Sequence, residues 1–155
     1  FLIRFADEND ASQILSFIKE LASYEKMLDQ VVATEEDLYK SLFVKNQAKV
    51  IIGEYKGEPA SFALFFYNYS TFLGKANLYL EDLFVKEAFR SKGIGQAMLK
   101  ILAKIAVDEG CGRVDWWCLT WNDPAIGFYK KIGAVPMSDW TVFRLQENAL
   151  KDLAK

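Results

Sequence analysis

The sequence contains no histidine among its 155 residues. This absence excludes Ser-His-Asp and Cys-His nucleophilic catalysis in their usual forms. It also excludes most catalytic zinc sites, because the two cysteines, Cys111 and Cys118, make a poor ligand set without histidine. We therefore expect no metal, and any proton transfer must use carboxylates, tyrosine, cysteine, lysine, backbone groups or water.

The chain also lacks long apolar runs and an excess of basic residues. No apolar run approaches the roughly 20 residues needed to cross a bilayer. The net charge of −2 gives no basic footprint for nucleic acid, and two cysteines are too few for a disulfide framework. We predict a cytoplasmic protein without membrane or nucleic-acid partners. Its acidic balance suits a cationic substrate.

What the sequence does contain is enough apolar material for one core. Hydrophobic residues make up 52% of the chain and aromatic residues 15%, which argues against disorder. A length of 155 residues predicts a single domain over residues 1–155. Periodicity along the chain predicts the element order βααβββαβαβ, which is typical of a mixed α/β sheet flanked by helices.

The element boundaries come from capping, turn and glycine signals. Thr34 and Asp37 are spaced as a capping box, Pro124 is placed to begin a helix, and Gly110 and Gly133 are placed to end helices. The segment from Leu78 to Cys118 predicts two parallel strands joined by a right-handed helical crossover. The predicted strands are Leu2–Phe5, Val50–Tyr55, Ala60–Tyr67, Asn77–Val85, Arg113–Leu119 and Trp140–Leu145.

One segment carries a chemical signal at the junction of a strand and a helix. Its residues are Arg90, Ser91, Lys92, Gly93, Ile94 and Gly95. The two glycines let the backbone turn tightly and approach a ligand. The first amides of the following helix and its dipole favour an anion, and Arg90 and Lys92 add positive charge. This predicts a pyrophosphate cradle, with a plain turn as the alternative, and the spacing fits neither the Walker nor the Rossmann motif.

Arg90, Gly93 and Gly95 stand at the positions of the acetyl-CoA signature Arg/Gln-x-x-Gly-x-Gly/Ala, so the segment resembles that of the GNAT acetyltransferase superfamily. Three further matches, Ile18–Glu25, Tyr79–Val85 and Trp121–Ala134, resemble the spermidine/spermine and thialysine N-acetyltransferase branch. The resemblance covers essentially the whole chain. It implies a mixed, mostly antiparallel sheet of about six to seven strands, acetyl-CoA as co-substrate, direct transfer in a ternary complex, and a homodimer.

The resemblance also implies catalytic roles. Tyr129 matches the tyrosine that protonates the departing CoA thiolate, with packing beside Phe128 as the alternative. Glu81 matches a carboxylate that holds the amine and relays its proton through water, with a solvated strand end or an ion pair as the alternative. Asp82 follows it, and strand alternation predicts that the two side chains point to opposite faces. A functional and a structural role for Asp82 are equally supported.

The remaining site residues come from the same resemblance. Leu83, Phe84 and Val85 are expected to bind the pantetheine arm of CoA through their backbone groups, while their side chains belong to the core. The segment of Asn122, Pro124 and Ala125 is expected to contact the cofactor, although helix capping alone would also explain Asn122.

Three residues are expected at the acceptor site. Tyr24 and Glu25 match residues that line the polyamine site, but the stretch after them, 26–30, is less acidic than a long polycation would favour. Phe72 is a candidate aromatic wall for an ammonium group, with structural packing as the alternative.

We therefore expect an acetyl-CoA-dependent N-acetyltransferase that acts on the primary amine of a small cationic molecule, either a polyamine or a thialysine-like amine. A member of the same superfamily that acts on an amino acid, an aminoglycoside or a protein N-terminus remains an alternative. A third possibility is a non-catalytic module that binds acyl-CoA. The presence of both Glu81 and Tyr129 argues against the third, because a binding module needs neither.

Overall fold

The computed structural model describes residues 1–155 and contains one five-stranded sheet. The strands follow chain order across the sheet: β1 (Leu2–Phe5), β2 (Lys49–Tyr55), β3 (Glu58–Ser70), β4 (Lys75–Val85) and β5 (Val114–Trp116). Neighbouring strands from β1 to β4 are antiparallel, whereas β4 and β5 are parallel. The predicted class, a mixed and mostly antiparallel α/β sheet flanked by helices, is confirmed. The predicted count of about six to seven strands is too high.

The helices are α1 (Ala11–Tyr24), α2 (Glu35–Leu38), α3 (Ile94–Asp108), α4 (Asp123–Lys131) and α5 (Glu147–Leu153). A π-helical stretch, Tyr39–Val44, continues α2. Single 3-10 turns lie at Glu8–Asp10, Leu28–Gln30 and Glu87–Phe89. None of these helices combines the length and the apolar character that a bilayer span needs.

Local signals in the sequence set several of these boundaries. At the start of α2 the Asp37 backbone N–H donates to the Thr34 hydroxyl oxygen at 3.1 Å, and the Thr34 N–H donates to the Asp37 carboxylate at 2.9 Å. This is the predicted capping box, which satisfies two amides that a helix start otherwise leaves without partners. Gly110 and Gly133 adopt left-handed φ angles of 73° and 96° just after α3 and α4, as predicted for helix ends.

The core lies between the sheet and the two helices α1 and α2. The rings of Phe17 on α1 and Phe62 on β3 stack with centroids 5.1 Å apart, and both are fully buried. Ile14, Leu42 and Ile52 belong to the same cluster. Burial of large apolar side chains of this kind is the main stabilising contribution to a domain of this size. The cluster holds α1 against the sheet, and α1 ends at Tyr24, which is one of the predicted site residues.

Two compact units make up the chain, residues 1–117 and residues 118–155. The first contains the sheet and α1 to α3, and the second contains α4 and α5. The single domain predicted over residues 1–155 stays a prediction.

The predicted strand Trp140–Leu145 is wrong. No strand forms there, and the side chains of Trp140 and Phe143 are 77% and 92% exposed. An apolar, β-prone segment becomes a strand only where another strand pairs with its backbone, and none pairs with this one. The predicted strand Arg113–Leu119 is confirmed only over Val114–Trp116, where it pairs with β4.

The hairpin of β3 and β4 is longer than predicted. The predicted strands end at Tyr67 and resume at Asn77, but in the structure Asn68 pairs with Asn77 and Ser70 pairs with Lys75. Only residues 71–74 form the turn, which the Gly74 N–H closes by donating to the Ser70 carbonyl at 2.9 Å. Backbone pairing along the hairpin therefore prevails over the loop-like composition of this segment.

Candidate active site

A β-bulge interrupts β4 at the predicted acceptor carboxylates. Asp82 pairs with Leu64 of β3, while the next residue of β3, Phe65, pairs with Leu80, so Glu81 is the extra residue on β4. A bulge bends its strand and breaks the alternation of side chains, and bulges are frequent next to active sites. The expectation that Glu81 and Asp82 point to opposite faces rested on unbroken alternation and loses that basis. Glu81 is exposed and Asp82 is partly buried.

The structure brings Glu25 together with these two carboxylates. Burial raises the pKa of Asp82 to about 7, and the negative charges of Glu81 and Glu25 add to that rise. Burial also raises the pKa of the Glu25 carboxyl. A charge shifts the pKa of another group only over a short distance, so the effect of Glu25 on Asp82 indicates that the end of α1 lies near the bulge of β4. We call Glu25, Glu81 and Asp82 the acidic site. These side chains are not arranged as a group of metal ligands.

Glu25 also stands in an unfavourable place on its own helix. It is the C-cap of α1, where the partial negative charge of the helix end repels a carboxylate. Partial burial, which raises the pKa of the Glu25 carboxyl, adds to this cost. A bound cation would offset both effects, which is the behaviour expected of a site for an ammonium group.

Sequence reasoning missed two residues next to this acidic site. Asp115 on β5 pairs in register with Tyr79 on β4. Burial, followed by the charges of Glu81, Asp115 and Asp82, raises the pKa of the Tyr79 phenol to about 12, so this hydroxyl keeps its proton. An aspartate within the apolar run Val114-Asp115-Trp116 was the available signal for this position.

The predicted cradle has the backbone conformation that anion binding needs. Ser91 and Gly93 adopt left-handed φ angles of 63° and 76°, and α3 begins directly after them at Ile94. A Cβ added at Gly95 would meet only Val85, at 3.8 Å, so packing within the chain does not explain this glycine. The missing side chain leaves room over the first turn of α3, where free amides and the helix dipole attract a phosphate. The residues therefore fit the pyrophosphate of CoA.

The two basic side chains of the cradle take different positions. The Arg90 Nε donates to the Val85 carbonyl oxygen at 3.1 Å, which ties the loop to the end of β4. The Lys92 ammonium group lies 5.3 Å from the centroid of the Tyr55 ring. Both side chains are exposed on the same loop, so positive charge borders the cradle.

The backbone edge of β4 is unpaired where the pantetheine arm is expected. β5 pairs with β4 only at Leu78, Tyr79 and Leu80. The edge of residues 81–85 that faces β5 therefore has no strand partner, and it includes Leu83, Phe84 and Val85. Unpaired N–H and C=O groups on a strand edge can bind an extended, amide-containing ligand in the way that they would bind another strand.

The other predicted cofactor and catalytic residues lie in the second unit. The Asn122 side chain accepts from the Ala125 N–H at 3.4 Å and caps α4, in which Pro124 is the second residue rather than the predicted first. Tyr129 is half-buried on α4, with its ring centroid 5.8 Å from that of Phe128. The cofactor contacts of Asn122, Pro124 and Ala125 and the catalytic role of Tyr129 stay predictions.

Phe72 is fully exposed at the turn between β3 and β4. It precedes Lys75, and Asp82 follows seven residues along β4 from there. At about 3.3 Å per residue this separates Phe72 from Asp82 by roughly 23 Å within one chain. The structure thus does not bring Phe72 to the acidic site, and its role as an aromatic wall stays a prediction.

Known proteins share this sequence and fold. The Acetyltransferase (GNAT) family matches residues 14–134. The chain is 38% identical to a thialysine N-epsilon-acetyltransferase of Sus scrofa, over 99% of this chain and 96% of the relative. It is 45% identical to an L-ornithine N5-acetyltransferase of Arabidopsis thaliana, over 62% of this chain and 42% of the relative. A solved integron cassette protein from the mobile metagenome of V. cholerae has a TM-score of 0.83 at 30% identity, over 99% of this chain and 97% of the other.

The matched region contains the cradle, the β4 bulge and most of α1. The arginine and glycines of the cradle, the unpaired edge of β4 and the acidic site all lie in the matched region, and the relative from Sus scrofa aligns over nearly its full length. The chain belongs to the GNAT acetyltransferase family, which uses acetyl-CoA, and is an N-acetyltransferase.

Proposed function

We propose that the acceptor is the terminal primary amine of a small amino acid such as thialysine or ornithine. The observation that carries this proposal is the site of Glu25, Glu81 and Asp82, where burial and the negative charges of Glu81 and Glu25 raise the pKa of Asp82, and a bound cationic group would offset that cost. The two curated relatives described above act on amino acids with an amine at the end of a flexible side chain. The weakly acidic stretch after Glu25 offers little to the second half of a long polycation.

Asp82 is the proposed acceptor of the amine proton. A free alkylamine has a pKa of about 10.4, so it binds as an ammonium ion and must lose a proton before it attacks. Asp82, with its pKa raised to about 7, is deprotonated for much of the time near neutral pH and basic enough to take that proton. Glu81, which is exposed beside it, holds the ammonium group and passes the proton through water.

Acetyl transfer then proceeds directly. The amine nitrogen attacks the thioester carbonyl carbon, the C–S bond breaks, and the phenol of Tyr129 gives its proton to the departing thiolate. The attacking nitrogen loses its second proton as the amide forms, and this proton restores the Tyr129 phenol. The backbone edge of residues 83–85 orients the pantetheine arm, and the loop of Arg90 to Gly95 binds the pyrophosphate. The segment of Asn122, Pro124 and Ala125 completes the cofactor site. The products are the N-acetylated amine, CoA and the one proton that the ammonium ion lost.

We also propose that the protein is a cytoplasmic homodimer. The exposed aromatic side chains of the β3–β4 hairpin support a dimer, because Tyr69 and Phe72 are 63% and 101% exposed and large apolar patches often mark interfaces. In a dimer Phe72 could reach the site of a second copy. The small number of cysteines supports a reducing compartment.

The test is release of CoA from acetyl-CoA by the purified protein across a panel of amines. The panel pairs lysine with cadaverine, which has the same carbon chain without the carboxylate, and adds thialysine, ornithine, spermidine, an aminoglycoside and a peptide N-terminus. We expect kcat/KM for thialysine or ornithine to exceed that for spermidine by at least about tenfold, which corresponds to about 1.4 kcal/mol. A preference for spermidine and cadaverine would replace the amino acid with a polyamine. Binding of acetyl-CoA with no turnover on any amine would identify a binding module.

A further inference from the structure

The signature arginine of the cradle contacts the acceptor side of the molecule. The guanidinium carbon of Arg90 lies 5.2 Å from the centroid of the Tyr24 ring and 5.6 Å from that of the Phe84 ring. Both distances fall within the range of a cation–π interaction. The Arg90 Nε is held at the same time by the Val85 carbonyl oxygen. Arg90 therefore contacts both the end of β4 and the end of α1.

Backbone hydrogen bonds at the end of α1 hold Tyr24 and Glu25 in the same turn. The Met27 N–H donates to the Ala22 carbonyl at 2.8 Å, and the Lys26 N–H donates to the Ser23 carbonyl at 3.1 Å. Lys26 is left-handed, with a φ of 62°, so the helix closes in a Schellman arrangement. This closure fixes the backbone of Tyr24 and Glu25 in one hydrogen-bonded turn, so a contact that holds Tyr24 in place also restrains the backbone from which the Glu25 side chain extends.

A cation suits this position for a second reason. Tyr24 is the last residue of α1, where the partial negative charge of the helix end attracts positive charge. Phe84, which carries the other ring, is buried in β4, two residues from Asp82. The guanidinium group thus joins the helix that carries Glu25 to the strand that carries Asp82.

We infer that Arg90 is a positioning residue for the acceptor amine: by holding Tyr24 against the end of β4, it sets the place of Glu25 opposite Asp82. This inference rests on the proposed function, because it concerns the acceptor site of that reaction. It gives Arg90 two roles, one toward the pyrophosphate of CoA and one toward the amine. If Arg90 served the pyrophosphate alone, its removal would weaken only the binding of acetyl-CoA.

The variant Arg90→Gln separates the two roles. The Gln Nε2 can stand where the Arg90 Nε stands and donate to Val85, so the tie to β4 is kept while the cation over Tyr24 is lost. Lys92→Gln is the matched control, since it removes one positive charge from the same loop but its ammonium group lies over Tyr55 instead. Circular dichroism and thermal melting establish that each variant folds.

We expect Arg90→Gln to raise the acceptor KM about fivefold at saturating acetyl-CoA, with kcat changed less than about twofold, as the loss of one cation–π contact predicts. Lys92→Gln should raise the Kd of acetyl-CoA and leave the acceptor KM unchanged. In a Tyr24→Leu background, Arg90→Gln should no longer raise the acceptor KM, because the contact is already absent. Its effect on the Kd of acetyl-CoA, measured by calorimetry without acceptor, should persist.

The inference is overturned if Arg90→Gln alters only the Kd of acetyl-CoA, or if its effect on the acceptor KM survives in the Tyr24→Leu background. Either result leaves the proposed function intact, because the wild-type protein is then active. A wild-type protein that binds acetyl-CoA but acetylates no amine overturns both. If Arg90→Gln does not fold, Arg90→Met replaces it in the same cycle, because Met is of similar length and has no positive charge to place over Tyr24, and an unchanged acceptor KM overturns the inference.

Discussion

Glu25, at the end of α1, and Asp82, on β4, act on each other electrostatically although 57 positions separate them in the sequence. The negative charge of Glu25 contributes to raising the pKa of Asp82, after burial and the charge of Glu81. Two carboxylates kept close at a cost to the folded state indicate a functional site, since a stable fold gains nothing from their repulsion.

The pH dependence of turnover should reflect the ionisation of the Asp82 carboxyl group. Because its pKa is raised to about 7, the Asp82 carboxyl group loses its proton as the pH rises through neutrality. The carboxylate that results can accept a proton from the amine. We expect kcat/KM for the acceptor to rise between about pH 6 and pH 8 with an apparent pKa near 7, and Asp82→Asn to remove this step while lowering the rate at least about a hundredfold. Initial rates across this pH range measure both. A step that persists in Asp82→Asn would assign it to another group.

Asp82 should also affect stability, with a definite sign. Its pKa is raised from 3.8 in the unfolded chain to about 7 in the folded protein, so the folded state binds the proton more tightly. The free energy of unfolding therefore falls as the pH rises from 3.8 to about 7, and above pH 7 this loss of stability is complete. We expect Asp82→Asn to raise Tm by several degrees at pH 8 and to change it little at pH 4. A variant that is less stable than wild type at pH 8 would show that the carboxylate is paired rather than strained.

The phenol of Tyr129 should matter for the rate and little for binding. Tyr129→Phe keeps the ring and its contact with Phe128 but removes the proton donor. We expect kcat to fall about a hundredfold and the Kd of acetyl-CoA to stay within about twofold, in keeping with the loss of one general acid. Tyr39→Phe, in the π-helical stretch after α2, is the matched control and should be as active as wild type. A wild-type kcat in Tyr129→Phe would remove this residue from the mechanism.

Glu81 should govern acceptor affinity. Glu81→Gln preserves the shape of the side chain at the bulge and removes the charge that attracts the ammonium group. The acceptor KM is expected to rise about tenfold, which is the size of one charge-assisted hydrogen bond, while the Kd of acetyl-CoA is unchanged. Glu58→Gln, at the exposed start of β3, is the control for loss of one negative charge. An unaltered KM would place Glu81 outside the acceptor site.

Gly95 offers a test of the cradle that is independent of the acceptor. An added Cβ would meet only Val85, at an ordinary contact distance of 3.8 Å, so Gly95→Ala should fold with unchanged or slightly higher stability. The same methyl group would fill space over the first turn of α3 that a phosphate needs, and we expect acetyl-CoA to bind at least about tenfold more weakly. Gln96→Ala, on the same turn, is the control. Undiminished binding in Gly95→Ala would locate the pyrophosphate elsewhere.

Much of the local structure could be predicted because local chemistry decides it. The capping box of Thr34 and Asp37 and the glycine after α3 involve residues within a few positions of one another. The cradle is local in the same sense, since its glycines and the helix start are consecutive in the chain. Hydrophobic periodicity likewise fixed α1 and α3, because one face of each helix must be buried.

The wrong predictions concern pairing between distant segments. Periodicity shows that Trp140–Leu145 is apolar and β-prone but not whether another strand pairs with it, and none does. The extension of β3 and β4 through residues 68–70 and 75–77 depends on the partner strand in the same way. Strand formation requires hydrogen bonds from another part of the chain, so local sequence alone cannot decide it.

The sequence by itself determined the family and the glycines and helix start of the cradle, because these depend on residue types at fixed spacing. Only the tertiary structure decided that Glu81 is the extra residue of a bulge, that Glu25 lies close enough to Asp82 to raise its pKa, and that Arg90 contacts Tyr24. These relationships join α1 to β4 and the loop after it. They exist because burial of Phe17 against Phe62 holds that helix on the sheet, and electrostatic interactions follow distance in space rather than separation in sequence.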